Sequence, residues 1–174
     1  MSFFSRLFGS RPAQSQCRPL YDRIVRIGRD PAWYIDGAVP DTLDGRFDMI
    51  AAVMALVLLR LEREGGRTAQ AAVELAEIFI EDMDGTVRQI GIGDLMVGKH
   101  VGKMMGALGG RLTAFRDAAQ AGGDFEEPVR RNIFHDAPPS EHALGFVSRR
   151  LERFHQGLVA RPAEEILRGE VPQP

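Results

Sequence analysis

Residues 79–112 read FIEDMDGTVRQIGIGDLMVGKHVGKMMGALGGRL. Ahead of Gly91-Ile92-Gly93, the residues Phe79, Met83, Val87 and Ile90 recur at three- and four-residue spacing and continue a series begun by Ala72 and Ala76. That is the period of an amphipathic helix. Glu74, Glu77, Glu81, Asp84 and Arg88 fall on its other side. Beyond the break, Val97, Val101, Met104, Met105, Leu108, Leu112 and Phe115 form a second apolar series, and no acid occurs from Leu95 to Arg116. The pattern predicts two helices joined by a glycine turn at Gly91 and Gly93, the second capped by Asp94. Lys99 and Lys103 are expected to face Glu81 and Asp84 across this hairpin.

Gly98, Gly102, Gly106 and Gly110 return every fourth residue, so one side of the second helix is bare backbone. Each glycine inside a helix costs about 1 kcal/mol relative to alanine. A close contact, most simply with a neighbouring helix of the same chain, is expected to offset that cost.

Two chemical readings of the stretch are weaker. Gly93 to His100 spells G-x-x-x-x-G-K-H, one residue from a phosphate-binding loop, but the magnesium-binding hydroxyl is replaced by imidazole. Such a loop must also follow a strand, and here it follows an amphipathic helix. Glu77, Glu81 and Asp84 share a helical face, yet the chain holds a single Glu-x-x-His pair, Glu152 with His155, where a carboxylate-bridged metal site needs two. A solvated face opposite an apolar stripe accounts for these acids. Asp82 differs, since it flanks the apolar stripe and needs a partner if buried, with Arg46 or loop amides as candidates. His135, His142 and His155 share no ligand spacing and are read as solvated or capping residues. No catalytic centre, metal site or cofactor site is legible.

Outward from the hairpin the chain stays helical. Met49 to Leu59 (MIAAVMALVLL) is too short to span a bilayer and predicts a buried central helix, capped by Asp44 and stopped by Gly65-Gly66. Thr68 is the expected cap of the next helix. Phe125 to Ile133 reads as a short helix, Ser140 opens another carrying Leu144, Val147, Leu151 and Phe154, and Tyr21, Ile24, Val25 and Ile27 mark one before Pro31. No segment alternates with period two. The expected fold is all-α, a single bundle-like domain of about six or seven helices.

The 174 residues suffice for one stable domain. The single cysteine, Cys17, excludes an internal disulfide and a cysteine-built metal site, and fits a reducing compartment. A net charge of −2 argues against general nucleic-acid binding. Residues 1–18 have no acid, and Phe3, Phe4, Leu7 and Phe8 share one side of a short helix. This segment is expected to be flexible and to touch a membrane or a partner. Residues 19–169 are expected to form the domain, and 170–174 a tail.

Four blocks, VPDTLDGRFDMI, FIEDMDGTVRQIGIGDLMVGKHVGKM, GGRLTAF and RRNIF, together resemble the ubiquinol-cytochrome c chaperone family, the assembly factors for cytochrome b of respiratory complex III. The resemblance runs from about Pro19 to Gly169 and is most specific from Asp82 to Lys103. It implies a helical, non-catalytic protein that holds newly made cytochrome b or its nascent chain, with a small helical partner protein in mitochondria. It assigns Asp82, Gly91, Gly93, Asp94 and Gly98 to the structure of the motif. Lys99, Lys103 and Arg111 form the basic surface expected to meet the client or anionic lipid. With no long presequence, a bacterial, alphaproteobacterial relative is expected, cytoplasmic or peripheral on the cytoplasmic face of the inner membrane. A degenerate nucleotide-binding protein using Lys99 and a membrane-surface helical interaction module with another client are the alternatives.

Overall fold

The computed structural model describes residues 16–89, 94–135 and 137–174. Its elements are α1 (Arg18–Gly28), α2 (Pro31–Ile35), α3 (Leu43–Glu62), α4 (Arg67–Gln89), α5 (Asp94–Gln120), α6 (Glu126–Val129), a π-helical turn (Arg130–Phe134), α7 (Glu141–Val159) and α8 (Ala163–Leu167). No strand occurs among the described residues, and the fold is all-α, as the hydrophobic period predicts.

Helix α3 is the axis of the bundle. Every residue from Met49 to Leu61 is buried, because α1, α4, α5 and α7 all pack against it. A helix apolar on all sides needs such complete cover. Its cap is Thr42 and not Asp44: Thr42 has extended backbone and its Oγ1 accepts from Gly45 N at 3.1 Å, whereas Asp44 lies in the first turn. There a carboxylate favours the positive helix end without capping it. Gly45 is required, since a Cβ built on it would sit 2.0 Å from the Pro40 carbonyl oxygen. The chain leaves α3 through Gly65 and Gly66, both with positive φ. Thr68 does not cap α4; its hydroxyl lies 2.7 Å from the carbonyl oxygens of both Leu61 and Gly65, shares its one proton between them, and so ties the start of α4 to the end of α3.

Arg60, in the sequence a boundary of the apolar run, is itself buried. It donates from Nε to Leu158 O at 2.9 Å and from Nη2 to Arg161 O at 2.7 Å, satisfying carbonyls at the end of α7 from a different helix. Ser140 opens α7 as expected, its Oγ accepting from Ala143 N. In the stretch expected as a tail, Val171 is buried in the core and Pro172 lies against Gly157.

Cys17, just ahead of α1, is buried, and its thiol donates to Glu74 Oε2 at 3.4 Å. Burial, reinforced by Glu74, pushes the thiol up to about 12. Asp30 caps α2, accepting from Ala32 N at 3.0 Å and from Arg150 Nη2 at 2.8 Å, while the Arg150 guanidinium lies 4.3 Å over the Trp33 ring. Burial alone would raise Asp30, but the Ala32 amide and Arg150 outweigh it and hold the carboxyl below its usual value. A depressed carboxyl stabilises the fold above its unfolded pKa, and that contribution fades as pH falls through the folded value. Asp30→Ala is therefore expected to cost about 1 kcal/mol at neutral pH. The gap from the wild type should narrow below about pH 4, where the unfolded carboxyl also takes up its proton. Urea unfolding at pH 7 and pH 3 checks this, and an undiminished gap at pH 3 would refute it.

Candidate functional site

Helix α5 divides cleanly into a packed side and a bare side. Leu108, Arg111, Ala114 and Phe115 are buried, with Met104, Met105 and Leu112 half-buried against the core. Gly98, Lys99, Gly102, Lys103, Gly106, Gly109, Gly110 and Thr113 are exposed, a strip about 24 Å long at 1.5 Å per residue. A Cβ placed on Gly98, Gly102, Gly106, Gly109 or Gly110 would meet nothing within 4 Å. This corrects the expectation of an internal close contact, because the core lies against the opposite side of the helix. The helix carries the propensity cost of its glycines with no packing of the described residues to offset it. Gly106→Ala should accordingly stabilise the chain by up to about 1 kcal/mol in thermal or chemical unfolding. A loss of stability would show that the face is covered after all.

Lys99 and Lys103 are thus on an accessible surface. Arg111 is not. It is 3% exposed, and its Nη2 bonds Asp48 Oδ1 and donates to Asn132 O at 2.5 Å, while Nη1 donates to Ala107 O at 3.1 Å. The guanidinium also lies 5.6 Å from the centre of the Phe47 ring. Arg111 is removed from the basic surface and becomes a buried structural residue. The reason is visible in its register: it stands three residues after Leu108 and four before Phe115, inside the apolar stripe.

Asp48 is the centre of this cluster. It is 5% exposed and its second oxygen, Oδ2, lies 2.8 Å from Nε2 of the half-exposed His135. Burial pushes the Asp48 carboxyl up, with Arg111 and His135 pulling the other way, and burial pushes the Arg111 guanidinium down against the pull of Asp48. Phe47 in turn stands 6.0 Å from Phe79. Asp82, one turn further along α4, accepts from Tyr21 Oη at 2.8 Å. The expected partner Arg46 instead pairs with Asp41 at 2.6 Å.

The four sequence blocks therefore meet in space. Phe47 and Asp48 come from the first, Phe79 from the second, Arg111 from the third and Asn132 from the fourth, with His135 just beyond it. Their spacing shows no motif because the contacts join α3, α4, α5 and the π-helical turn. His155, half-buried on α7, lies 5.7 Å from the Phe125 ring. Burial, with Arg63 nearby, holds it below the usual imidazole value.

For the phosphate-loop reading, the element ahead of the glycines is helix α4, not a strand. Gly91 and Gly93 lie outside the described residues. Asp94 is the first residue of α5 and Gly98 is exposed on it. Among the described residues no three His, Cys, Asp or Glu side chains are grouped to hold a metal, and no helix is long and apolar enough to cross a membrane.

The arrangement offers an exposed backbone face flanked by two lysines, built on a helix that a buried ion pair fixes to the central one. No curated protein matches the chain. Among solved structures, the crystal structure of the Cbp3 homolog from Brucella abortus is similar, with a TM-score of 0.81 and 26% identity over 98% of this chain and 92% of that one. The family model described as ubiquinol-cytochrome C chaperone matches residues 36–171, which takes in all four blocks and the Asp48 cluster, and the chain belongs to that family.

Proposed function

We propose that this protein is a non-catalytic assembly chaperone that binds newly made cytochrome b through the exposed side of α5. Membership of the ubiquinol-cytochrome c chaperone family supports the client class. The observation that carries the surface is the open glycine strip with Lys99 and Lys103 beside it. A glycine face lets an extended or helical client segment approach the α5 backbone closely, as a larger side chain would prevent. The lysines attract acidic residues of the client or the phosphates of the membrane into which it inserts. Work at that membrane surface follows from the nature of the client.

Deletion in the native host is the test. Membrane b-type haem and ubiquinol-cytochrome c reductase activity are expected to fall together. Normal levels of both, with no second family member in the genome, would exclude the role. At the level of the surface, Lys99→Glu with Lys103→Glu should lower crosslinked cytochrome b by about fivefold or more, with a larger effect at low salt than at high. An unchanged yield at low salt would move the client to another face.

A further inference from the structure

Away from α5, the second half of α1 and the start of α2 line an open cleft of about 510 Å³. Arg23, Arg26 and Arg29 line it together with Asp22, Asp30 and Gln173. Both carboxylates are already engaged: Asp22 accepts from Arg18 Nε at 2.9 Å, and Asp30 from the Ala32 amide and Arg150. Among the described residues, Arg23, Arg26 and Arg29 enter no ion pair and no side-chain hydrogen bond. Three arginines thus line the cleft beside two carboxylates already engaged by Arg18 and Arg150, although the chain as a whole has a net charge of −2.

Local helix chemistry does not account for the cluster. A cation in the last turn of α1 complements the helix dipole, which explains Arg26. Arg29, the C-cap of α1, is placed as favourably, but Arg23 lies a turn earlier, and the three like charges succeed one another every third residue and repel. An anion in the cleft would relieve that repulsion. Guanidinium groups present planar pairs of N–H donors that match phosphate oxygens two at a time. The side-chain amide of Gln173 supplies a neutral donor on the rim.

We propose that this cleft binds a phosphoryl group, with Arg23, Arg26 and Arg29 as its ligands, carried by an anionic lipid headgroup or present as free phosphate. The inference is independent of the client surface, since it uses α1 and not α5. The full chain is sedimented with phosphatidylcholine vesicles and with vesicles that also contain phosphatidylglycerol, and is titrated with inorganic phosphate in a calorimeter, all at low salt. Arg23→Gln with Arg26→Gln is the site variant, and Arg130→Gln with Arg131→Gln, two exposed cations on the π-helical turn, is the control. Binding to the anionic vesicles alone identifies a headgroup, and saturable heat with inorganic phosphate identifies the free ion. In either case the Arg23/Arg26 variant should bind roughly 25-fold more weakly, about fivefold per charge, and the control variant should lose less. No binding to either probe, equal binding by the Arg23/Arg26 variant, or an equal loss in the control variant would overturn the proposal. Circular dichroism melts establish that the variants fold, and Arg29→Gln reads the same cleft should the double variant unfold.

Discussion

Replacing Arg111 with alanine is expected to destabilise the chain by about 3 to 5 kcal/mol, the range for removal of one member of a buried ion pair. The guanidinium is buried, holds Asp48, and satisfies carbonyls of α5 and of the π-helical turn. Without it the Asp48 carboxylate remains in the core with only His135 beside it, and burial alone already pushes that carboxyl toward its neutral form. In a chain of 174 residues the melting temperature should fall on the order of 10 °C. Arg111→Met combined with Asp48→Leu removes both charges and should be considerably less damaging than Arg111→Ala, because apolar groups of similar volume carry no desolvation cost. Urea unfolding of the two single variants and the double variant gives the coupling between them. A loss under about 1 kcal/mol for Arg111→Ala would mean that the pair is not the fastening described here.

The second large effect should be one of binding without loss of stability. Gly102→Leu with Gly106→Leu places two side chains on a face where a Cβ meets nothing within 4 Å. Helix propensity then favours the variant by roughly 0.5 to 1 kcal/mol per site, so the melting temperature should hold or rise. Recovery of crosslinked cytochrome b should fall by about thirtyfold or more, the equivalent of about 2 kcal/mol, as at an interface hot spot. A drop in stability alongside the loss would point to an internal contact instead. Full recovery with a raised melting temperature would leave the strip without a role in client binding.

The helices themselves were readable because each buries a stripe of defined period, and the all-α architecture follows from those stripes. The site was half readable. Lys99 and Lys103 stand on a surface with no apolar periodicity, and they are indeed exposed. The glycine spacing announced a bare face but not what covers it, since periodicity within one helix carries no information about its neighbours. Charge alone misplaces Arg111 and gives no hint of Asp48. Asp48 stands next to an apolar run and Arg111 reads as part of a basic surface, yet each lies on the packed side of its helix and their partnership spans 63 residues of sequence. A cation at an apolar register position was the available signal. Thr42 and Asp44 are both good capping residues two positions apart, and only the extended backbone at Thr42 separates them.

The lone cysteine makes the chain convenient for site-directed labelling. Burial, reinforced by Glu74, holds the Cys17 thiol in its protonated form at pH 8 and also shields it from bulky reagents. A maleimide or photoreactive probe will therefore ignore the native thiol and modify a cysteine introduced on the open strip, such as Gly102→Cys or Gly109→Cys, with no background to subtract. Stepping such a probe along α5 would map the footprint of a bound segment one helical turn at a time.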